Sequence, residues 1–137
     1  MTKVEEKDRI LVVDDAVDTL EVLNRNLSFH GYRVITAMSV LEAIDILSAT
    51  QVDLVITDLK MPGISGLELV RHIRNNLKDT EVIMITGYPS VEGAVEAVKN
   101  GVQEYLPKPF TAEELISSVQ HVDRKSTRLN SSHVSQS

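Results

Sequence analysis

The sequence predicts an α/β fold, a doubly wound parallel sheet of five strands with five helices. Short apolar segments rich in β-branched residues alternate five times with longer segments whose apolar residues recur every three or four positions. These are the patterns of buried strands and amphipathic helices. Strands that alternate with helices in this way form a parallel sheet with helices on both faces. The length of 137 residues fits one such domain.

The first half of the chain contains three predicted strands and two predicted helices. The strands are Arg9–Val13, Tyr32–Ala37 and the apolar run from Val52 to Asp58. The first helix carries apolar residues at Val17, Leu20, Leu23 and Leu27, and Gly31 is expected to end it. The second helix begins with a capping box of Ser39 and Glu42 and carries Val40, Ala43, Ile44 and Leu47.

The second half contains two further strands and three helices. A capping box of Ser65 and Glu68 is expected to begin the third helix, which carries Leu69, Val70 and Ile73. The fourth strand is Glu81–Thr86, closed by Gly87. Pro89 is expected to open the fourth helix, whose apolar stripe is Val91, Ala94, Val95 and Val98 before Gly101 ends it. The fifth strand is Gln103–Leu106, and a capping box of Thr111 and Glu114 begins the last helix, with Leu115, Ile116, Val119 and Val122.

Composition and charge exclude several classes of protein. A formal net charge of −6 argues against a nucleic-acid-binding surface, since such surfaces are basic. No apolar run approaches the roughly 20 residues of a membrane span, and the charged N-terminus is unlike a signal peptide. The chain has no cysteine, so it has neither a disulfide framework nor a thiolate metal site. We therefore expect a cytoplasmic protein.

The end of the chain differs in kind from the rest. Residues 125–137 are polar and lack apolar periodicity, so we expect a disordered tail. The tail also resembles translated cloning sequence, and we expect it to be non-native. The predicted folded domain is therefore residues 1–124.

Polar residues lie at the carboxyl ends of four predicted strands. Asp14 and Asp15 follow the first strand, Asp58 ends the third, Thr86 ends the fourth and Lys108 follows the fifth. In the flavodoxin-like strand order 2-1-3-4-5, the first and third strands are neighbours, so the three aspartates converge. Converging carboxylates repel one another unless a cation lies among them, and an all-oxygen ligand set suits Mg²⁺. Mg²⁺, Lys108 and Thr86 together would hold a phosphoryl group at Asp58.

Each of these residues also has an ordinary structural interpretation. The acidic pair could cap a helix, Asp58 could form the turn that follows it, and Lys108 could be a solvated lysine. These interpretations do not explain why every polar strand end is compatible with phosphate. The four histidines lack the spacing of metal ligands; they are His30, His72, His121 and His133.

Four short motifs surround these strand ends. They are V-V-D-D after the first strand, D-L-K-M-P-G-I-S-G at the third, M-I-T-G at the fourth and Y-L-P-K-P-F at the fifth. Together they resemble the receiver domain of bacterial two-component response regulators, over roughly residues 8 to 123. The resemblance implies a switch that accepts a phosphoryl group from a phosphohistidine of a sensor histidine kinase. It implies that Asp58 is the phosphoacceptor, that Asp15, Asp58 and the backbone carbonyl of Lys60 bind Mg²⁺, and that Asp14 positions the metal through water.

The same resemblance implies how phosphorylation is transmitted. Thr86 would move to bond the phosphoryl group, Tyr105 would turn inward and Lys108 would pair with the phosphate. The Lys108–Pro109 bond is expected to be cis. The surface formed by the fourth helix, the fifth strand and the fifth helix would then change, to control an output domain or to form a homodimer.

Subtype and class leave alternatives open. The segment from Thr86 to Phe110 is similar to receivers that precede a σ54-activating ATPase, a nitrogen-regulator-like subtype. A Mg²⁺-dependent aspartate-nucleophile phosphatase would use the same aspartate, but typically carries an acid two residues later, where this chain has Lys60. A flavin-binding flavodoxin relative would need a hydroxyl- and glycine-rich loop after the first strand, where this chain has D-D-A-V-D. We therefore expect stoichiometric phosphorylation, with no enzymatic turnover beyond slow loss of the chain's own phosphoryl group.

Overall fold

Five parallel strands form the centre of the molecule. The computed structural model describes residues 8–122, and the structural statements below concern this part of the chain. The strands are β1 (Arg9–Val13), β2 (Arg33–Ala37), β3 (Leu54–Asp58), β4 (Glu81–Thr86) and β5 (Glu104–Pro107). They pair in parallel in the order β2-β1-β3-β4-β5, which confirms the predicted fold class.

Helices connect the strands and cover both faces of the sheet. They are α1 (Val17–Phe29), α2 (Val40–Ala49), α3 (Gly66–Asn76), α4 (Val91–Lys99) and α5 (residues 112–122). None of these helices is long and apolar enough to cross a membrane. The predicted domain boundary at residue 124 and the predicted disordered tail lie outside the described residues.

Two apolar cores, one on each face of the sheet, hold the helices in place. Alternate residues of the central strands point to opposite faces, so Val55 packs with α2, α3 and α4, while Ile56 packs with α1 and α5. Both residues are fully buried. This two-sided burial is why β1, β3 and β4 are continuous apolar runs rather than alternating ones. The two cores fix the strand ends, and with them the polar residues described below.

The predicted helix boundaries were correct in part. Thr111 and Glu114 form the predicted reciprocal capping box, with bonds of 2.9 and 3.0 Å, and Ser39 accepts the Glu42 N–H at 3.1 Å. The capping box at Ser65 was wrong, because that side chain makes no capping hydrogen bond. The prediction that Pro89 opens α4 was also wrong. Ser90 is the N-cap of this helix, and its side chain accepts a hydrogen bond from the N–H of Gly93.

The valines of the predicted apolar stripe of α4 do not form a buried face. Val91, Val95 and Val98 are 80%, 48% and 65% exposed, and Ala97 is the one fully buried residue of the helix. Val17, assigned to the stripe of α1, is also exposed. The buried apolar area of α4 is therefore small, and such a helix is held weakly.

Two of the serine N-caps, Ser39 and Ser65, provide a matched test of the capping geometry. Ser39→Ala should lower the free energy of unfolding by about 1 kcal/mol, because the Glu42 N–H loses its acceptor. Ser65→Ala, at the same position of α3, should lower it much less, because Ser65 accepts no such bond. Urea denaturation measures both values. Equal losses in the two variants would contradict the difference in capping.

Candidate functional site

The carboxyl edge of the sheet brings together the five polar residues that the sequence singled out. Asp58 and Thr86 are the last residues of β3 and β4. Asp14 follows β1, and its N–H donates to the Ala37 carbonyl at the end of β2. Lys108 follows β5, and its N–H donates to the Thr86 carbonyl at 2.7 Å. Strand pairing alone therefore places these residues at one edge.

Three carboxylates form an acidic cluster at this edge. The cluster consists of Asp14, Asp15 and Asp58, whose oxygens lie within 4.8 Å of one another. Asp14 and Asp58 are buried and Asp15 is exposed. It is the one group found in residues 8–122 that could hold a metal ion, and it contains no histidine. Three oxygen donors with an open, solvent-facing side suit Mg²⁺, which keeps several waters.

Asp14, a member of the acidic pair, stabilises the turn before α1 and does not cap the helix itself. An Oδ1 atom of Asp14 accepts the N–H of Ala16 at 2.9 Å. Ala16 is the N-cap of α1, and its side chain makes no capping bond. Asp14 thus stabilises the turn into α1 with one oxygen and faces Lys108 with the other.

Lys108 lies between the two buried carboxylates. Its Nζ is 3.0 Å from Asp14 Oδ2 and 3.4 Å from Asp58 Oδ2, so the interpretation as a solvated lysine was wrong. Burial alone would lower the pKa of the ammonium group, but the hydrogen bond and charge of Asp14 raise the pKa above its ordinary value. Lys108 therefore stays charged. The Lys108–Pro109 bond is cis, as predicted.

One ammonium group does not fully compensate the buried carboxylates. Burial raises the pKa of Asp58 above 3.8, the charge of Asp14 raises it further, and Lys108 opposes both effects without cancelling them. The ionised form of Asp58 is thus disfavoured in the fold, and a second cation would favour it. The raised pKa of Asp58 and the close approach of the three carboxylates both indicate that a further cation would stabilise this site.

Thr86 and Tyr105 connect this edge to the start of α4. Thr86 is fully buried, and its Oγ1 accepts the N–H of Tyr88 at 3.0 Å. The Tyr105 hydroxyl is buried and has no hydrogen-bond partner among residues 8–122. It lies beside the first turn of α4, where a Cβ on Gly93 would be 2.9 Å from it. In this structure the hydroxyl therefore lies against α4 rather than in solvent.

Two features of the segment from the end of β3 to the start of α3 were not evident from the sequence. Lys60, predicted to ligate metal through its carbonyl, has an exposed side chain with Nζ 5.3 Å from the ring centroid of Tyr88. Thr57 and Gly66 contact the backbone of Asp58. Thr57 reads as an ordinary β-branched strand residue and Gly66 as part of a turn, so no local pattern marks them.

The sequence matches one protein family and several curated relatives. The family model for the response regulator receiver domain matches residues 10–120. The response regulator MprA of Mycolicibacterium vanbaalenii is 40% identical over 119 residues, which are 87% of this chain and 52% of that protein. MprA of Mycobacterium avium is 38% identical over 117 residues. The chain spans about half the length of the curated relatives it matches.

Solved structures agree in fold. A receiver domain from Methanospirillum hungatei has a TM-score of 0.86 at 28% identity, covering 90% of this chain and 98% of that one. One from Clostridium thermocellum has a TM-score of 0.82 at 35% identity, covering 89% and 98%. NtrX from Brucella abortus, solved in complex with ADP, has a TM-score of 0.86 at 29% identity, covering 93% of this chain and 29% of that one. With the family model matching most of its length, this chain belongs to the response regulator receiver domain family.

Proposed function

We propose that the chain is the phosphoacceptor switch of a two-component system and that Asp58 accepts the phosphoryl group. The observation that supports this most is the position of the Asp58 carboxylate, which is buried at a strand end beside Asp14, Asp15 and Lys108. Membership of the receiver family supports the same role. A sensor histidine kinase is the proposed donor.

The acidic cluster fits Mg²⁺. Asp15 and Asp58 would ligate it with the backbone carbonyl of Lys60, and Asp14 would position it through water. Bound Mg²⁺ would offset negative charge on the phosphoryl oxygens. The raised pKa of Asp58 supports a cation here, because a cation favours the ionised form of Asp58, which is the form that attacks phosphorus.

The proposed transfer is an in-line displacement. A carboxylate oxygen of Asp58 forms a bond to phosphorus while the bond from phosphorus to the donor nitrogen breaks, and the imidazole of the kinase leaves. Lys108, held at the site by Asp14 at 3.0 Å, would then pair with a phosphoryl oxygen. The adduct changes the local charge by about one unit and adds acceptor oxygens.

Those new oxygens would act on Thr86. The Thr86 hydroxyl accepts a bond from Tyr88 N–H in this structure and is free to donate to a phosphoryl oxygen. If the Thr86 side chain moves toward the phosphoryl group to make this bond, the space beside Tyr105 would change. The Tyr105 hydroxyl lies against the first turn of α4. The surface of α4, β5 and α5 would respond, and would bind an output domain or a second copy of the chain. The weak burial of α4 supports this assignment.

The phosphatase alternative has less support. Such enzymes typically carry a second acid two residues after the nucleophile, which protonates the leaving group. Lys60 occupies the position two residues later, and its Nζ points to the Tyr88 ring. We therefore propose stoichiometric phosphorylation and no turnover of external esters.

The subtype stays a prediction. The match to NtrX covers 93% of this chain and 29% of that protein, which supports a receiver within a multidomain regulator. This match also supports the predicted nitrogen-regulator-like subtype. The MprA proteins have higher identity, 38 to 40%. The cytoplasmic location and the kinase partner also stay predictions.

Asp58→Asn tests the phosphoacceptor. Intact-mass analysis after incubation with acetyl phosphate and Mg²⁺ should show one added phosphoryl group on the wild type and none on Asp58→Asn, because an amide is not a nucleophile. Asp45→Asn, the same change at an exposed position of α2, should label like the wild type. A label that persists in Asp58→Asn would place the acceptor elsewhere.

Asp15→Ala tests the metal site. The variant should weaken Mg²⁺ binding by at least about tenfold and leave the metal-free chain as stable as the wild type or more so, because a like charge is removed. Thermal melts with and without Mg²⁺ measure both. Asp18→Ala, in the first turn of α1, should change Mg²⁺ binding much less. A large loss of metal-free stability in Asp15→Ala would instead favour a capping role.

Thr86→Ala tests the link from phosphate to surface. A beryllofluoride adduct, standing in for the phosphoryl group on Asp58, should shift amide resonances along α4 and β5 of the wild type. Thr86→Ala should keep the adduct and show smaller shifts in α4 and β5, because it lacks the hydroxyl that would donate a hydrogen bond to the phosphoryl group. Thr50→Ala, at the C-cap of α2, should show the wild-type pattern. Remote shifts as large in Thr86→Ala as in the wild type would exclude this link.

A further inference from the structure

The backbone carbonyl of Asp58 is enclosed by two residues that the proposed chemistry does not use. Thr57, the preceding residue of β3, is fully buried, and its Oγ1 donates to the Asp58 carbonyl oxygen at 3.0 Å. Gly66, the first residue of α3, is buried against the same oxygen. We name Thr57 and Gly66 the Asp58 support.

Gly66 is required by close approach and not by backbone conformation. The described glycines with positive φ are Gly31, Gly63 and Gly101, so any residue could adopt the backbone angles of Gly66. A Cβ at position 66, however, would overlap the Asp58 carbonyl oxygen and lie 3.1 Å from Thr57 Oγ1. The overlapped atom belongs to the backbone, so no side-chain rotation relieves the overlap, and either the Asp58 peptide or the start of α3 must move.

The strand pairing shows what such a movement would disturb. Asp58 pairs with Ile85 of β4, and the N–H of Leu59 donates to the Ile85 carbonyl at 3.0 Å. The N–H of Gly66 donates to the Leu59 carbonyl at 2.9 Å, which closes the loop that carries Lys60. The Asp58 support therefore fixes the backbone on both sides of the Asp58 carboxylate.

We propose that Thr57 and Gly66 are positioning residues for phosphoryl transfer. They fix the Asp58 peptide, and with it the position of the Asp58 carboxylate beside Lys108, Asp14 and Asp15, and this role rests on the proposed function of Asp58. Neither residue touches the reacting atoms. A displacement of about 1 Å at a reacting group lowers a rate by about 100-fold.

Substitutions at Thr57 separate positioning from packing. Thr57→Val keeps the branched shape and removes the hydroxyl, whereas Thr57→Ser keeps the hydroxyl and removes a methyl group. Initial rates of labelling by acetyl phosphate with Mg²⁺ should fall by about tenfold or more in Thr57→Val and by less than about threefold in Thr57→Ser. A packing role gives the opposite order, because serine leaves a cavity and valine does not.

Gly66→Ala tests the close approach. It should lower the labelling rate by about 100-fold while the amide spectrum stays that of a folded chain. Ser65→Ala, at the preceding position, is the control, because the Ser65 side chain makes no capping hydrogen bond, and its rate should equal that of the wild type. If Gly66→Ala does not fold, the order of the two Thr57 variants decides.

The outcomes distinguish this inference from the proposed function. Wild-type rates in Thr57→Val and in a folded Gly66→Ala would overturn the positioning role while leaving Asp58 as the acceptor. A faster Thr57→Val than Thr57→Ser would overturn it as well. A wild type that takes no label, or a label retained by Asp58→Asn, would overturn the proposed function instead.

Discussion

The site depends on one electrostatic constraint, the burial of two carboxylates beside a single ammonium group. Lys108 Nζ lies 3.0 Å from Asp14 and 3.4 Å from Asp58, and burial still raises the pKa of Asp58. A carboxyl group whose pKa is raised by folding destabilises the fold progressively as the pH rises from its ordinary pKa through the raised one. A cation bound at the acidic cluster, as proposed, would offset that cost, so that metal binding would raise the stability of the fold.

Tight packing near Asp58 contrasts with loose attachment of α4. Ala97 is the one fully buried residue of that helix. Polar contacts with Arg71 of α3 supplement it. Arg71 Nε donates to Asn100 Oδ1 at 3.3 Å, and Arg71 Nη2 lies 3.7 Å from Glu96 Oε2. Exposed ion pairs of this kind contribute little to stability. The position of α4 is therefore easier to shift than that of any helix with a broad buried face.

The sequence predicted the fold and the composition of the site because both depend on where strands end. Apolar periodicity located β1, β3 and β4 closely, and parallel pairing then placed Asp14, Asp58 and Thr86 together. Periodicity failed at α4, since an apolar stripe indicates a face but not whether anything covers it. The Ser65 motif failed because a capping sequence does not determine the side-chain rotamer. The contact of Gly66 with the Asp58 backbone arises only when α3 folds back onto β3, a tertiary relation that no local pattern encodes.

These differences in rigidity determine where a new charge on Asp58 can have an effect. If Thr57 and Gly66 fix the backbone of Asp58, the strand end does not move to accommodate a phosphoryl group. The response must then come from side chains that can rotate, and Thr86 is at the adjacent strand end. Beyond Thr86, the buried and unpartnered Tyr105 hydroxyl lies against α4, the most weakly held helix. A firmly held acceptor and a weakly held helix together direct the free energy of the adduct to one surface, which is the property that a binding switch requires.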